Sequence, residues 1–555
     1  MNKLAEALET IGEGLEASNL TTCSRWANKR RIMGMPFPGR YGWANHPWVQ
    51  GILDSQAPFN FAMKAAQIGV TEVAINRALF VIDRLHRDVL YVLPTTKNAS
   101  DFSRARFNTA LALSPYLKQL FTDTDSIHLK IAGANSLYIR GSRGTSNLKS
   151  IPVADLILDE IDEMEDKSYR LALERLSGQT EKYVWAVSTP TIPNYGIHKL
   201  FLGSTQEHFI FRCPRCGKLT ELLWPDCIEI IGENSYDPRC KESFLKCKEC
   251  KKRLEHGVGR SYLTTAKWEP TNTAVNGDRR GFYINQLYSP TVSPEELVVA
   301  YFDGFGDEAA EKEFHNSKLG TPFLGEGAQV TDDMIDRCVR NYTINDPRPK
   351  QGSSTRLITM GVDPGKLGNI SVCEWFIPTC DRDINAVALG KLLWFGKFGE
   401  EDWGVLDELM REWQVRACVV DADPNINEAR RFARRFWGYV WLTRYRDGVS
   451  AREMTIVEED NAPIAQVDRS NWVSCTLGRF KVDPSRIQLP RDLSLEYRDH
   501  IKSLVRTYEK DKHGQPQLIY KNLGPDHYAH SLVYAEMGLP LAAAITQNQD
   551  ITEAY

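Results

Sequence analysis

Short apolar runs that end in turns or acids recur along this chain, and they predict two α/β regions flanking a segment of another kind. Between about 51 and 200 the runs read as buried strands and the mixed stretches between them as helices. Residues 75–85 fit a helix. Residues 88–93 fit a strand stopped by Pro94, and residues 136–139 a shorter one. Residues 154–160 run Ala-Asp-Leu-Ile-Leu-Asp-Glu, a buried strand ending in two acids, Asp159 and Glu160. Residues 183–188 form another, running out into Ser188-Thr189-Pro190-Thr191. Polar strand ends of this kind place ligands at the carboxyl edge of a parallel sheet. The rhythm breaks over 208–255, returns over 256–340, and stops at an Asn/Pro/Gly/Ser-rich stretch, 345–355, that reads as a linker. A second α/β region starts at Leu357.

These shifts divide the chain into a lead-in (1–50), a first domain (51–340) carrying an insertion at 208–255, a linker (341–356), a second domain (357–543) and a tail (544–555). The aromatic, Pro/Gly-rich part of the lead-in, 36–48, either packs on the next domain or touches the adenine side of a nucleotide. With 555 residues, two to four domains are expected. Hydrophobic content of 42% and charged content of 25% are ordinary for a globular protein. The apolar run at 539–545 is too short to cross a bilayer, and residues 1–6 do not open a signal peptide. A net charge of -4 announces no nucleic-acid partner, although local basic patches on an acidic background are compatible with one. Twelve cysteines in a chain of this length argue against a disulfide framework.

The chemistry concentrates in three places. The first is Met63-Lys64-Ala65-Ala66-Gln67-Ile68-Gly69-Val70-Thr71-Glu72. A phosphate loop runs Gly, four residues, Gly-Lys-Ser/Thr. Gly69 and Thr71 fit it, Val70 replaces the lysine, and Lys64 stands where the first glycine belongs. Backbone N–H groups from Ala65 to Val70, the Lys64 ammonium and the Thr71 hydroxyl can still cradle phosphates and Mg²⁺ if Lys64 folds back. Asp159 supplies a second Mg²⁺ ligand and Glu160 a carboxylate to polarise the attacking water. The following acids Asp162, Glu163, Glu165 and Asp166 read as a solvated face. Arg140 and Arg143 are candidates for touching DNA or phosphate.

The second place holds Cys213-Pro214-Arg215-Cys216 and Cys247-Lys248-Glu249-Cys250, two Cys-x-x-Cys knuckles suited to a closed tetrahedral Zn²⁺ site. Cys227, Cys240 and His208 are alternative ligands. The third is a set of acids: Asp363 and Asp421 at strand ends, and Asp526 beside the start of a helix. Three carboxylates brought together without a cation are unstable, whereas two Mg²⁺ or Mn²⁺ ions would hold them and hydrolyse a phosphodiester. Asp423 and Glu374 are alternates, and His527 and His530 either contact phosphate or pack.

In this order the motifs resemble the large terminase subunit of tailed double-stranded DNA phages, of the lambda-type branch. The resemblance spans about 40–540 and includes Tyr91-Val92-Leu93-Pro94-Thr95 and the stretch from Gly281 to Pro290. It implies an α/β protein with a P-loop NTPase (RecA/ASCE-like) domain, a zinc-knuckle insertion and an RNase H-like nuclease domain. It implies an ATP-driven packaging motor that also cuts concatemeric DNA, with Lys64 as the loop lysine, Asp159 on Mg²⁺ and Glu160 catalytic. Ser188, Thr189 and Pro190 would couple hydrolysis to translocation, and Asp363, Asp421 and Asp526 would be the nuclease acids. Gln50, in Trp48-Val49-Gln50, would be the loose counterpart of an adenine-reading glutamine. The implied partners are double-stranded DNA, a small terminase subunit and the portal of the prohead, with the chain in a homo-oligomeric ring. The implied location is the host cytoplasm. Two other readings compete: a helicase with an accessory nuclease, and a zinc-stabilised DNA-binding scaffold without catalysis.

Overall fold

The computed structural model describes residues 20–121, 126–143, 148, 151–346, 356–377, 388–446, 454–510 and 516–552. They fall into two units, one ending at Leu324 and one beginning at Gly325.

The first unit is built on a ten-stranded sheet. Its strands are β1 (Phe59–Lys64), β2 (Val89–Leu93), β3 (Leu129–Ala132), β4 (Asn135–Gly141), β5 (Asp155–Asp159), β6 (Tyr183–Ser188), β7 (Glu207–Arg212), β8 (Leu219–Thr220), β9 (Lys267–Pro270) and β10 (Arg279–Ile284). The spatial order is β8-β7-β10-β1-β6-β5-β2-β4-β3, with β9 on β7. From β10 to β4 every neighbouring pair is parallel. The central strands are buried end to end because helices and loops cover both faces, which is why they read as continuous apolar runs rather than alternating ones. Val89, Tyr91 and Ile157 enter one core and Leu90, Val92, Leu156 and Leu158 the other. Residues 256–340 contribute more than scaffold, since β10 is the immediate neighbour of β1.

Register decides where the chemistry lies. Met63 pairs with Ser188 and Asp159 with Val187, so β1, β5 and β6 release their last residues at one edge. Helix α1 (Trp48–Leu53) precedes β1, and α2 (Val70–Phe80) follows the loop. Gly69 caps α2 in the left-handed region at φ 84°, where a side chain would be strained.

The second unit holds an eight-stranded sheet. Its strands are β11 (Arg356–Asp363), β12 (Leu367–Phe376), β13 (Leu389–Gly399), β14 (Ala417–Asp421), β15 (Val440–Tyr445), β16 (Thr455–Glu458), β17 (Pro463–Val467) and β18 (Ile487–Gln488). The order is β16-β17-β15-β14-β11-β12-β13-β18. β11, β12 and β13 form an antiparallel meander, while β14 and β15 run parallel to β11. Helix α3 (Arg469–Lys481) and helix α4 (His527–Thr552) join the core under this sheet. Gly361 on β11 is required there: a Cβ would collide with the Ser531 carbonyl and the Ala535 amide of α4.

The contacts place residues 325–340 with the second unit, whereas the sequence pattern groups them with the first. Val330, Ile335 and Cys338 bury their side chains in the second core. Most of the expected linker, 347–355, lies outside the described residues. The helix over the expected tail continues α4 as far as Thr552. No helix among the described residues is long and apolar enough to cross a membrane.

Candidate functional site

Lys64 ends β1 with its side chain 6% exposed, and its Nζ lies 2.8 Å from Glu160 Oε1. Burying an ammonium is costly unless a carboxylate meets it, and Glu160 does so from the end of β5. Glu160 leaves the strand at φ 57°, a left-handed conformation that turns its side chain back toward the loop. Its other oxygen accepts from Ser188 Oγ, Thr189 N and Thr189 Oγ1, each at 3.2 Å. Burial pushes the Glu160 carboxyl up, but the Lys64 ammonium and these donors outweigh it and hold the carboxyl below its ordinary range.

Asp159 is in the opposite state. It is buried, its Oδ2 accepts from Tyr91 Oη at 2.6 Å, and its Oδ1 has no hydrogen-bond partner among the described residues. Burial, and then the Glu160 charge, push its carboxyl up to about 6. A buried carboxylate oxygen without a donor is a group that a cation would satisfy.

Lys64, Ala66, Gln67, Ile68, Gly69, Val70, Thr71, Glu160 and Thr189 line a cavity of about 260 Å³. Ala65 lies behind it, its N–H given to the Ile284 carbonyl of β10 at 2.8 Å. Ala66 N donates to the Ser317 carbonyl at 2.8 Å, and Gln286 Nε2 to the Ala66 carbonyl at 2.8 Å. A larger cavity, about 530 Å³, adjoins through Gln67, Gly69, Glu72 and Arg106, and its walls include Met35, Phe37, Tyr41, His46 and Val49. The aromatic lead-in therefore borders the phosphate loop. Gln50 does not: it is exposed on α1 and lines neither cavity. Its neighbour Trp48 is buried and donates its indole N–H to the Ile68 carbonyl at 2.9 Å, fixing the loop from behind.

Pro190 follows the two residues that touch Glu160, and Thr191 follows Pro190. Asp162, expected on a solvated face, is buried, which corrects that reading. Its carboxylate accepts from Thr191 N at 2.7 Å, Thr191 Oγ1 at 2.9 Å and Ile197 N at 2.7 Å. The strand-end acids and the segment after β6 are thus one hydrogen-bonded unit. Thr191 O in turn accepts from Asn316 Nδ2 and Phe323 N, each at 3.0 Å. Arg140 is held by its own sheet edge, donating to the carbonyls of His128 and Ile139. Arg143 is exposed, and its neighbour Gly144 lies outside the described residues.

Arg106 and the Asn316–Phe323 strap carry no signal in the sequence, and Tyr91, although part of the Tyr91–Thr95 phrase, has no site role legible there. Arg106 Nη2 lies 2.6 Å from Glu72 Oε1, while the buried Arg31 holds Glu72 Oε2 at 2.7 Å. Each reaches the site through the fold.

Cys213, Cys216, Cys247 and Cys250 bring their sulfurs within 4.8 Å of one another, a set able to chelate a metal. Each knuckle is a tight turn: Gly217 N donates to Cys213 O and Lys251 N to Cys247 O, each at 2.9 Å, with positive φ at Gly217 and Lys251. Cys227 and Cys240 stay outside the set, their thiols directed to the carbonyls of Glu221 and Asn234. His208 pairs with Glu221 at 2.6 Å.

In the second unit Val362 pairs with Val420, so Asp363 and Asp421 emerge side by side from β11 and β14. Asp526 immediately precedes α4 and its carbonyl accepts from His530 N at 3.0 Å. Each acid has a partner from α4 within reach: His527 Nδ1 lies 2.8 Å from Asp363 Oδ2, His530 Nε2 lies 3.1 Å from Asp526 Oδ2, and Tyr534 Oη donates to Asp421 Oδ2 at 2.6 Å. Burial and the Asp363 charge raise the Asp421 carboxyl, whereas His530 and Arg469 outweigh burial at Asp526 and lower it. Among the described residues the four cysteines form a group placed to hold a metal ion, and the three acids do not. Glu374 sits at the far end of β12, opposite Ile358 rather than Asp363, so it is removed from this group. Asp423 stays near, its N–H donating to Asp421 Oδ1 at 3.1 Å.

Comparison with known proteins gives a consistent picture. The family "Phage terminase large subunit gpA, ATPase domain" matches residues 36–268, and "Terminase large subunit gpA, endonuclease domain" matches residues 279–365. No curated protein matches. Among solved structures, the HK97 bacteriophage large terminase is 11% identical with a TM-score of 0.45, covering 93% of this chain and 98% of its own. The large terminase of the thermophilic bacteriophage D6E is 12% identical with a TM-score of 0.29, covering 87% and 94%. The large terminase nuclease of thermophilic phage G20c is 13% identical with a TM-score of 0.21, covering 38% and 98%. The two family matches lie in tandem over more than half of the chain, an ATPase domain followed by a distinct endonuclease domain, and on them this protein belongs to the large terminase subunits of tailed double-stranded DNA phages.

Proposed function

We propose that this chain is a lambda-type packaging motor: it works as a ring at the portal of a prohead, in the host cytoplasm, on DNA delivered by a small terminase subunit, and it cuts the concatemer into genome units. The observation that carries the motor reading is the Lys64–Glu160 pair at the mouth of the phosphate-loop cavity, with the unpartnered Asp159 oxygen beside it. A parallel sheet in which one strand, β6, separates the loop strand from the acid strand supports the RecA/ASCE assignment. The meander β11–β12–β13 with β14 and β15 parallel to β11 supports the RNase H-like one.

In this reading ATP lays its phosphates over 67–71, since the N–H groups of Ala65 and Ala66 are held by Ile284 and Ser317, and its base toward the cavity walled by Phe37, Tyr41 and His46. Thr71 and Asp159 would hold Mg²⁺, which would supply charge neutralisation at the phosphates. Lys64 exchanges Glu160 for phosphate oxygen. Glu160, freed of its ammonium, takes the proton of the attacking water. Ser188, Thr189 and Pro190 follow that exchange, because two of them hold the other Glu160 oxygen. Tyr91 keeps Asp159 oriented.

In the second unit Asp363, Asp421 and Asp526 offer hard oxygen donors, which suit Mg²⁺ or Mn²⁺. Ions held there would lower the pKa of a water that attacks the phosphodiester and would stabilise the leaving oxygen. His527, with Nδ1 2.8 Å from Asp363 Oδ2, stands beside the acid that would hold the ion. The four thiolates suit structural Zn²⁺, because all four positions are filled by protein.

The test uses the purified full chain with a DNA concatemer, ATP and Mg²⁺ or Mn²⁺. Glu160→Gln is expected to lose ATP turnover while keeping metal-dependent cutting, and Asp363→Ala to do the reverse. If both variants keep both activities, the two-site assignment is wrong. Translocation along blunt duplex without strand separation is the expected motor behaviour; unwinding would point to a helicase.

A further inference from the structure

The Cys-knuckle insertion holds a cavity that neither site uses. It measures about 460 Å³ and is bordered by Arg215, Lys241, Ser243, Arg253, Glu255 and His256. Four other cations of the insertion are paired with carboxylates, and the three remaining, Arg212, Lys251 and Lys252, do not line this cavity. Lys246 lies 2.6 Å from Glu229, Arg239 2.7 Å from Asp237, Lys218 3.6 Å from Glu249 and Lys248 3.7 Å from Glu221. Among the described residues no ion pair engages Arg215, Lys241 or Arg253. All three are exposed, and the Arg253 guanidinium is seated over the Phe244 ring at 4.8 Å. Three cations without an ion pair among the described residues thus face one concavity that holds a single carboxylate, Glu255, an arrangement that favours an anionic ligand.

We propose that this cavity binds the phosphates of a nucleic-acid backbone, making the Cys-knuckle insertion a DNA contact of the chain. The proposal rests on the packaging reading only for the identity of the polymer. Contacts of this type position a duplex without reading its sequence, as a translocating protein requires. A competing account makes these cations counter-charges for the thiolates, since Arg215 stands between Cys213 and Cys216 and its N–H donates to Cys213 Sγ at 3.4 Å.

The experiment compares two variants of the full chain with equal charge change. Lys241→Glu/Arg253→Glu alters the cavity. Lys118→Glu/Lys267→Glu alters exposed lysines of the first unit that belong neither to this cavity nor to the knuckle turns. A fluorescent duplex of mixed sequence is titrated from about 50 to about 200 mM salt, where each neutralised phosphate contributes about one to the log–log slope. The cavity variant is expected to lose about tenfold or more in affinity and about two in slope, with ATP turnover and zinc content unchanged. The control variant is expected to stay within about threefold of wild type. Equal losses in the two variants, or none in the cavity variant, would overturn the proposal. So would zinc loss in the cavity variant, which would assign the cations to the thiolates. In a parallel arm inorganic phosphate is the ligand, read by thermal shift. A shift abolished by Lys241→Glu/Arg253→Glu while duplex affinity stays at the wild-type value would mark a free-phosphate site and also overturn it. Failure of the packaging reading looks different: wild type itself would neither bind duplex nor turn over ATP.

Discussion

Glu160→Gln should do two opposite things to ATP, and the ion pair sets the size of one of them. Lys64 and Glu160 meet at 2.8 Å with side chains 6% and 32% exposed. Breaking a fully buried pair from one side costs roughly 3–5 kcal/mol, and an exposed pair is worth at most about 1 kcal/mol. With one partner nearly a third exposed, a value of about 1–2 kcal/mol is appropriate. In the free protein this pair competes with phosphate for the ammonium. A neutral glutamine keeps the hydrogen bonds from Ser188 and Thr189 but surrenders most of that competition. ATP binding to Glu160→Gln should therefore tighten by roughly fivefold to thirtyfold, since 1.4 kcal/mol is a factor of ten. Turnover should fall by about 10²–10⁴, the usual contribution of a general base. Calorimetric titration with Mg·ATP measures the first effect, and single-turnover hydrolysis the second. Lys64→Ala, by contrast, should weaken ATP binding, because the ammonium itself is gone. Glu160→Gln binding ATP tenfold more weakly than wild type, or hydrolysing it at the wild-type rate, would refute the exchange of Lys64 between carboxylate and phosphate.

Three further outcomes follow from the same structure. Asp159 is raised to about 6 from 3.8, so its charged form penalises the folded state at neutral pH, and the penalty fades as pH falls through about 6 toward the unfolded value. Asp159→Asn should therefore stabilise the nucleotide-free protein by up to about 3 kcal/mol at pH 7.5, with the gain in Tm shrinking at lower pH, and should abolish Mg·ATP turnover; a gain that grows on acidification contradicts the assignment. Cys247→Ser should cost the chain its zinc and lower its Tm, whereas Cys227→Ser and Cys240→Ser should leave zinc content unchanged in elemental analysis. Asp162→Ala should strand the donors of Thr191 and Ile197 and destabilise by about 3 kcal/mol in denaturant unfolding; a loss under about 0.5 kcal/mol would return Asp162 to the solvated face.

Local signals determined much of this protein. Continuous apolar runs marked β2, β5 and β6 because a strand covered on both faces has no polar side to show. The two Cys-x-x-Cys turns fixed the metal-chelating set, since both halves of each pair lie within one tight turn. Asp159, Glu160, Asp363 and Asp421 were visible as acids at strand ends, and Ser188-Thr189 as a polar exit. Tertiary structure alone decided what these groups meet. Lys64 finds Glu160 because β1 and β5 share an edge across β6, a register no periodicity encodes. Gln50 looked adjacent to the loop in sequence, yet α1 turns Trp48 toward Ile68 and leaves Gln50 in solvent. Asp162 shares its acidic run with exposed Glu165, and only the return of the chain at Thr191 and Ile197 buries it. Residues 325–340 carry too few apolar positions to announce their partner, and packing of Val330, Ile335 and Cys338 assigned them to the second unit. Sequence records which chemistry is present and the local conformation around it; long-range pairing, which local pattern does not specify, decides which groups become neighbours.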